Sequence, residues 1–461
     1  MKLAELIIKE AKDRGLTHFF GLPGGGAPLD LMEAGRRYGL EFGSVAHESS
    51  AAVMAGYHGE MNATAGLALA VKGVGAGNLT GGATTAHFER LPVVCLCECS
   101  PTSVRQRDMV QHCDHAGMFG SVTKYQATLD ADAPEKLQEA IFSARDGRPG
   151  PVLLNLPSDL GQLECDPEIA PAPAKPPARP SAERLTAFRE SLRFARKPVV
   201  LAGADVIRAG ATAELRAFAE NIEAAVLVTM DARGVFAESH PRWAGVVVGT
   251  FGPNIIETEI LSRADRVIHV GVDAMMSHAP WKSDLPVGEL SARAEYASMA
   301  PRPEVRVDGD LKASLKALAG QKQAGFAESE VRSARQKILR QFARPGKATL
   351  AAQDVIKAVR AALPKDGALF TETGAFVAML EHLWPVEGPG LYYGTSGGRT
   401  MGLMLPAILG AKLAQPDRPM IGLGGDGSLL MRLGELEVFA RTGVAVPLVI
   451  INDRALGTMK S

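Results

Sequence analysis

Residues 419–453, PMIGLGGDGSLLMRLGELEVFARTGVAVPLVIIND, contain two apolar runs on either side of a segment with apolar residues at helical spacing. We interpret PMIGLGG as a strand, SLLMRLGELEVFARTG as one helix and VPLVIIND as the next strand, which together form a βαβ crossover. Asp426 ends the first strand and Asp453 ends the second. A right-handed crossover between parallel strands places both acids at the same edge of the sheet. The stretch therefore predicts a parallel α/β sheet with two carboxylates at its carboxyl edge.

The chemistry of this edge favours a bound anion and a cation. Ligands of open α/β sheets bind outside the carboxyl ends of the strands. The glycines of GGDGS allow main-chain N–H groups to approach an anion at the start of the following helix. Two carboxylates at one edge repel each other unless a cation lies between them, and Mg²⁺ prefers carboxylate and phosphate oxygens. We interpret the pattern as a Mg²⁺ site that holds a diphosphate; the alternative is that Asp426 only caps the helix.

The same alternation of strands and helices extends over the rest of the chain. LEFGSVAH precedes SSAAVMAGYHGEM, and AGLALAVKG precedes LTGGATTAHFER. Continuous apolar strands between helices indicate parallel sheets that are covered on both faces. We predict an α/β protein of three consecutive doubly wound parallel-sheet domains, at residues 1–165, 182–335 and 345–461. The proline-dense residues 166–181 between the first two are predicted to be an extended linker.

Composition gives no reason to expect a nucleic-acid or membrane partner. The 461 residues include 50 Lys and Arg against 51 Asp and Glu, for a formal net charge of −1. No window reaches the ~18 apolar residues of a membrane span, and MKLAELIIKEAKDRG is an amphipathic helix rather than a signal peptide. We therefore expect a cytoplasmic protein that acts on a small molecule. In the middle block we find no compact cluster of titratable residues next to glycine turns.

The five cysteines are interpreted as structural residues. Cys95, Cys97 and Cys99 alternate in VVCLCECS, which indicates a strand with these side chains on one face. Zinc sites usually space their ligands as C-x₂₋₄-C, so small buried apolar side chains are favoured over a metal cluster.

Residues 426–453 resemble the thiamine-diphosphate motif, which begins with GDG and ends in a pair of asparagines at this spacing. The departure is at the second asparagine, where Asp453 follows Asn452. GRPGPVLLNLP and SGGRTMGLMLPAILGAKLAQPDRP resemble other segments of the same family. The chain is identified as a member of the thiamine-diphosphate-dependent enzymes, in the acetolactate synthase and 2-oxo-acid decarboxylase branch. The resemblance implies thiamine-diphosphate-binding folds at both ends and a Rossmann-like central domain.

The resemblance assigns the catalytic carboxylate to Glu48, in SVAHESSAAVMAGYHG. In the family this glutamate hydrogen-bonds the aminopyrimidine of the cofactor and shares a proton with it. From the residues alone, the favoured explanation of Glu48 is a glutamate at a helix start that interacts with the helix dipole. The following KGVGAGNLTGG resembles the glycine-rich turn of the family; a dinucleotide fingerprint is less favoured because the G-x-G-x-x-G spacing is not met.

The resemblance also implies the other site residues. The cofactor residues, besides Glu48, are Thr373, Gly374, Ala375, Phe376, Met401, Gly425, Gly427 and Ser428. The metal ligands are Asp426, Asp453 and the main-chain oxygen of Ala455. For the substrate the resemblance implies Gln111, and Gly25, Lys72 and His112 are further candidate substrate residues. Several family members have a histidine at the position of Phe376, and Met401 is expected to support the bend between the two cofactor rings. His47, His87, His112 and His115 are either proton donors or ordinary surface and core histidines.

The implied function is the decarboxylation of a 2-oxo acid followed by carboligation, dependent on thiamine diphosphate and Mg²⁺. One alternative is a non-ligating 2-oxo-acid decarboxylase or lyase. Another is a homologue that binds the cofactor without turnover, because Asp453 departs from the motif. We expect a homodimer or homotetramer with active sites shared between chains. FAD is possible in the central domain, but no residue supports it. Family members continue beyond NDRALGTMKS, so we expect this chain to lack part of the third sheet.

Overall fold

A computed structural model of the chain describes residues 1–101, 104, 110–130, 132–159, 163–166, 176–249, 254–320, 322–343, 350–455 and 457–459. The strands are β1 (His18–Gly21), β2 (Glu41–Ser44), β3 (Gly66–Ala70), β4 (Val93–Cys99), β5 (Gln126–Thr128), β6 (Pro151–Pro157), β7 (Pro198–Ala202), β8 (Ala225–Thr229), β9 (Trp243–Val247), β10 (Arg266–Val270), β11 (Val287–Ser291), β12 (Val305–Asp308), β13 (Ala368–Thr371), β14 (Tyr392–Tyr393), β15 (Met420–Gly425) and β16 (Leu448–Ile451). The α-helices are α1 (Leu3–Asp13), α2 (Ala27–Tyr38), α3 (Glu48–Met61), α4 (Val74–Phe88), α5 (His115–Phe119), α6 (Ala133–Arg145), α7 (Ala182–Leu192), α8 (Asp205–Arg208), α9 (Thr212–Asn221), α10 (Ile256–Leu261), α11 (Leu311–Leu318), α12 (Glu328–Leu339), α13 (Ala352–Ala362), α14 (Val377–Leu383), α15 (Met404–Ala414), α16 (Asp426–Met431) and α17 (Glu435–Thr442). Residues 167–175 of the predicted linker lie outside the described residues.

The strands form three sheets. Their orders are β2-β1-β3-β4-β6-β5, β12-β11-β10-β7-β8-β9 and β14-β13-β15-β16. Neighbouring strands in the first two sheets pair in parallel, as do β15 and β16 in the third. The predicted α/β class with three parallel sheets is confirmed.

The chain divides into two compact units. The first comprises Met1–Ala174, Phe370–Thr373 and Gly398–Ser461, and the second comprises Lys175–Leu369 and Gly374–Gly397. The first unit therefore combines the amino-terminal sheet with the strand–glycine–helix segment that follows Met420. The domain limits of 1–165, 182–335 and 345–461 stay a prediction. No helix in the described part of the chain is both long and apolar enough to cross a membrane.

Two helices of the first unit pack closely because their contact residues are small. Helix α3 has the sequence ESSAAVMAGYHGEM, and its residues 48–59 are all buried. A Cβ added to Gly410 of α15 would lie 2.2 Å from the main-chain oxygen of Met54 on α3. Only glycine permits this approach, because a side chain there would force the helices apart. The helix that begins at Glu48 is thereby fixed beside the helix that follows Met401.

The segment after Asp426 corrects one prediction. We expected one helix over SLLMRLGELEVFARTG, whereas α16 ends at Met431 and α17 begins at Glu435. The backbone leaves the helical conformation at Arg432, with φ −134° and ψ 22°. Leu430 is 70% exposed and Met431 is 56% exposed, so the apolar residues at helical spacing are not one buried face.

The second unit contains a buried ion pair. The guanidinium of Arg233 donates hydrogen bonds of 2.9 and 3.0 Å to the two carboxylate oxygens of Glu238. It also lies over the ring of Tyr392, 4.3 Å from the ring centroid. The two side chains are 1% and 2% exposed. Removing one partner of a pair this deeply buried is expected to destabilise the unit strongly.

Candidate functional site

Glu48 lies at the carboxyl edge of the first sheet, where the chain turns from β2 into α3. His47 caps the helix by accepting a hydrogen bond of 3.2 Å from the Ser49 N–H. Glu48 is the first helical residue and is 7% exposed. Its Oε2 accepts a hydrogen bond of 3.0 Å from the side-chain amide of Asn78 on α4. Gly75 lies beside Oε1, since a Cβ added to this glycine would be 3.4 Å from the oxygen.

Three of the four candidate substrate residues line one cleft in the first unit. The cleft has a volume of about 260 Å³. Its lining comprises Lys72, Cys99, Ser100, Gln111, His112, Cys113, Asp114, His115, Ala116, Thr128 and Asn155. Gly25 does not line it, although a Cβ on its neighbour Gly26 would lie 2.3 Å from Glu98 Oε1. Lys72 pairs with the same Glu98 at 3.4 Å, so its positive charge is already partly balanced.

The histidines near the cleft are held in defined roles. His115 Nε2 accepts a hydrogen bond of 3.2 Å from the Gly73 N–H, so Nδ1 carries the proton and donates to Asn155 Oδ1 at 2.9 Å. Burial lowers the pKa of His115, which favours this neutral form. His112 Nδ1 lies 3.0 Å from the Ser100 hydroxyl. Both ring nitrogens of His115 therefore take part in hydrogen bonds of the scaffold, and its role as a proton donor stays a prediction.

The two remaining candidate histidines lie away from this cleft. His47 serves as the cap of α3, through its Nδ1. His87 Nδ1 lies 3.0 Å from the main-chain oxygen of Val122, which corresponds to a hydrogen bond within the scaffold. The ordinary structural interpretation accounts for both.

Asp426 and Asp453 lie at the carboxyl edge of the third sheet. Gly425 on β15 is paired with Ile451 on β16, so both chains leave the sheet side by side. Asp426 begins α16, and Asp453 belongs to the turn that follows β16. Asp453 Oδ1 accepts a hydrogen bond of 3.0 Å from the Ala455 N–H. The three predicted metal ligands are thus at one end of two neighbouring strands, and Asp453 and Ala455 share one turn.

The predicted cofactor residues of the first unit converge on the same edge. Thr373 follows β13, and Met401 precedes Gly402, whose φ is +74°. A Cβ added to Gly402 would lie 3.5 Å from the main-chain oxygen of Ser428 on α16. The Met401 segment therefore lies against the helix that Asp426 begins, next to Gly425, Gly427 and Ser428.

The second unit contains the predicted cofactor residues Gly374, Ala375 and Phe376. Phe376 is 5% exposed. A Cβ added to Gly374 would lie 2.5 Å from the ring of Phe376, so the ring folds back over the glycine. The phenyl ring at this position has no ionisable group, in contrast to the histidine of several family members.

Three site residues were not identified in the sequence. Asn78 bonds Glu48, and Glu372 is a buried acid between Thr371 and Thr373. Glu435 on α17 is 1% exposed, and its Oε2 accepts a hydrogen bond of 3.3 Å from the Ala46 N–H, two residues before Glu48. Asn78 and Glu435 lie inside segments that resemble the family. Their hydrogen-bond partners, Glu48 and Ala46, are remote from them in sequence. A polar residue on an otherwise small or apolar helix face was the available signal.

The residues present fit thiamine diphosphate and Mg²⁺. The donor set at the third sheet consists of oxygens only, which is what Mg²⁺ prefers, with phosphate oxygens to complete the shell. Among the described residues, no three His, Cys, Asp or Glu side chains are grouped to hold a metal ion. A buried carboxylate with one bonded oxygen, Glu48 Oε2, leaves Oε1 beside Gly75 for a ring nitrogen.

The central sheet corrects a second prediction, that of no titratable cluster near its glycine turns. Asp205, Asp231 and Asp273 follow the neighbouring strands β7, β8 and β10, and all three affect the pKa of Arg208. Asp205 pairs with Arg208 at 2.7 Å. The acids are 26 and 42 positions apart, so only the sheet brings them together. Burial raises the pKa of the Asp231 carboxyl, which disfavours its ionised form.

Comparison with known proteins matches three segments of the chain to one enzyme family. Models of three domains of thiamine pyrophosphate enzymes match the chain in sequence order. The N-terminal TPP binding domain matches residues 1–118, the central domain matches residues 185–318, and the C-terminal TPP binding domain matches residues 372–461.

Curated relatives align over almost the whole chain. The acetolactate synthase large subunit of Lactococcus lactis is 27% identical over 474 residues, covering 99% of this chain and 81% of the relative. The probable acetolactate synthase large subunit of Methanocaldococcus jannaschii is 29% identical over 493 residues, with shares of 99% and 81%. The acetolactate synthase isozyme 3 large subunit of Escherichia coli is 27% identical over 489 residues, with shares of 99% and 83%.

Proposed function

We propose that this chain decarboxylates a 2-oxo acid and joins the product to a second carbonyl compound. The premise is that the chain belongs to the thiamine pyrophosphate enzymes and is acetolactate synthase-like. The proposal includes dependence on Mg²⁺ as well as on thiamine diphosphate. The observation that carries it is the pair of sheet edges in one unit, with a buried Glu48 at one edge and the two aspartates at the other.

Glu48 is proposed to hold and return a proton at the aminopyrimidine. Its position at the start of α3 is fixed by the bond from Asn78 and by the cap at His47. The cofactor, when bound, supplies the electron sink that makes loss of CO₂ from a 2-oxo acid possible. The protein's part is to bind and orient it, to exclude water, and to keep the Glu48 proton beside the ring.

Asp426, Asp453 and the Ala455 oxygen are proposed to hold Mg²⁺ against the diphosphate. The first turn of α16 adds main-chain N–H groups of the glycine-rich segment 424–427, which favour an anion at a helix start. Asp453 in place of asparagine adds one negative charge to this shell. We expect the site to accept that charge because Mg²⁺ binds carboxylate oxygens.

The test is product analysis. The chain is incubated with thiamine diphosphate, Mg²⁺ and pyruvate, alone and with a second 2-oxo acid or an aldehyde, and CO₂ and organic products are measured. The proposal predicts CO₂ release together with a hydroxyketone product, and loss of both in Asp426→Ala. The Cys165→Ala variant serves as the control, because Cys165 is half-buried and its thiol contacts the main-chain oxygen of Met1 and no proposed site residue.

Two other outcomes would replace the proposal. CO₂ release with an aldehyde as the sole product would identify a non-ligating decarboxylase or lyase. Cofactor binding without CO₂ from any 2-oxo acid tested would identify a homologue without turnover, which the Asp453 substitution makes worth testing.

Assembly is part of the proposal: a homodimer, or a homotetramer built from such dimers, with shared sites. Leu430 and Met431 on α16 and Leu433 in the turn after it are 70%, 56% and 47% exposed. Large apolar side chains grouped beside a predicted metal ligand are typical of a surface that another chain covers. A closed two-fold pair is the commonest arrangement of this kind.

A further inference from the structure

Glu372 is a buried acid that the catalytic proposal does not use. It follows β13 directly and precedes Thr373, and it is 1% exposed. Acidic side chains are rarely buried to this extent unless they are paired or hydrogen-bonded. After burial itself, the groups with the largest effect on this carboxyl are main-chain N–H groups.

The contacts of Glu372 come from two chain segments. Oε2 accepts a hydrogen bond of 3.2 Å from the Met404 N–H, at the start of α15. The N–H groups of Gly402, Leu403 and Gly425 also stabilise the ionised carboxyl, although burial outweighs them and raises the pKa of Glu372 to about 7.

The second carboxyl oxygen lies beneath the glycine-rich end of β15. A Cβ added to Gly424 would lie 2.4 Å from Oε1, so only glycine leaves room for the carboxyl there. Oε1 has no hydrogen-bond partner among the described residues. The carboxyl therefore touches the chain on both sides: the segment that carries Met401 and the segment that leads into Asp426.

We propose that Glu372 is a positioning residue, whose buried carboxyl joins the segments carrying Thr373, Met401 and Gly425 and so presets the cofactor cradle before the cofactor binds. The inference rests on the proposed function, because it assumes that these three residues contact thiamine diphosphate. Glu372 does not touch the cofactor in this account. It acts by holding main-chain groups that do.

The physical reason is geometric. The three segments are far apart in sequence, and β13, β15 and the start of α15 meet at this carboxyl. Without it, the Met404 N–H loses its acceptor and Gly424 loses its contact with the carboxyl, so the two loops can move independently. A site whose supporting contacts are lost becomes looser even though its contact residues remain, and removal of one such support typically costs about 10- to 100-fold in affinity.

The experiment uses Glu372→Ala and the conservative Glu372→Gln, with Glu257→Ala as the matched control. Glu257 is also 1% exposed and also accepts main-chain hydrogen bonds, of 2.6 and 3.0 Å from Val248 and Gly249, but it belongs to the second unit. Equilibrium dialysis with Mg²⁺ measures the dissociation constant for thiamine diphosphate. Amide hydrogen exchange in the cofactor-free chain reports on residues 400–404 and 423–427.

We expect Glu372→Ala to weaken cofactor binding about tenfold or more and to raise exchange in both segments. Glu372→Gln retains an oxygen acceptor, so its affinity should stay within about threefold of the wild type. Glu257→Ala should leave the affinity unchanged. Wild-type affinity in Glu372→Ala, or an equal loss in Glu257→Ala, would overturn the proposal.

The proposal stays testable in two further cases. Should Glu372→Ala not fold, Gly424→Ala displaces the carboxyl instead, and unchanged affinity in that variant would overturn the proposal. Should the wild-type chain not bind thiamine diphosphate, the proposed function fails, and the exchange measurement still decides the role of Glu372. Unchanged exchange in either segment would then refute it.

Discussion

The side-chain amide of Asn78 donates a hydrogen bond of 3.0 Å to Oε2 of Glu48. The two residues are 30 positions apart and lie on different helices, α4 and α3. Because Asn78 occupies only one carboxyl oxygen, the other remains available beside Gly75. The bond thus fixes the direction of the predicted catalytic carboxylate without neutralising it.

Replacing Asn78 should therefore impair catalysis more than binding. We expect Asn78→Ala to lower kcat about tenfold, because the Glu48 carboxyl loses its only side-chain hydrogen bond among the described residues. Steady-state kinetics with the 2-oxo acid identified by product analysis gives kcat and KM separately. Thr80→Ala on the same helix is the control, since the Thr80 hydroxyl donates its hydrogen bond to the Ala76 main-chain oxygen of that helix and not to Glu48. A fall in kcat of equal size in both variants would assign the effect to the helix.

The aspartate that departs from the family motif gives a second prediction. Asp453→Asn restores the amide oxygen of the motif and removes one charge, so we expect Mg²⁺-dependent cofactor binding to persist. Asp453→Ala removes the ligand, and we expect the affinity for Mg²⁺ to fall about 10- to 100-fold. Calorimetric titration of Mg²⁺ into the chain with saturating thiamine diphosphate measures both. Equal affinities in the alanine and asparagine variants would exclude Asp453 from the metal shell.

Much of this arrangement follows from the sequence. Asp426 and Asp453 were placed at one sheet edge by strand–helix–strand periodicity and crossover handedness, and the pairing of Gly425 with Ile451 agrees. Gln111 was assigned from the resemblance and Lys72 and His112 were separate candidates, and all three line one cleft. Local pattern and motif spacing were sufficient in these cases because each rule concerns neighbouring elements.

What the sequence did not reveal depends on contacts between remote segments. Glu372 had no motif of its own, and its partners at Met404 and Gly424 are 32 and 52 positions away. The acids around Arg208 come from three strands of the central sheet. The break between α16 and α17 was missed because Leu433 and Leu436 continue the helical spacing, although they are 47% and 37% exposed. Periodicity alone does not distinguish a core face from an exposed one.

The buried carboxyl of Glu372 predicts a pH-dependent stability. Burial raises the pKa of Glu372 from 4.5 to about 7, so the folded chain favours the protonated form. Its stabilising contribution is complete below about pH 4.5 and is lost as the pH rises through about 7, at a cost of up to about 3 kcal/mol. Glu372→Gln cannot ionise, so it should gain stability relative to the wild type between pH 5 and pH 8. Urea unfolding of both cofactor-free chains measures this; a constant difference at the two pH values would contradict the prediction.

Shared sites predict complementation between inactive variants. A Glu48→Gln chain and an Asp426→Ala chain are each expected to be inactive alone. In a mixed homodimer whose sites combine both chains, one site of two keeps both residues, so about half of the wild-type activity per dimer should return. Activity is measured after subunit exchange has been verified by mass. Exchange without any recovery would contradict the shared-site arrangement.

The central claim is that Glu48 acts on the proton balance of bound thiamine diphosphate, and it can be tested without knowing the substrate. The measurement is the rate at which the thiazolium C2 proton of the bound cofactor exchanges for deuterium, in the wild type and in Glu48→Gln, both saturated with cofactor and Mg²⁺. We predict that the wild type accelerates this exchange well above the rate of the free cofactor, and that Glu48→Gln lowers it by about 100-fold or more, as expected when a general acid–base group is removed. Equal exchange rates in the two proteins, with both shown to bind the cofactor, would contradict the account.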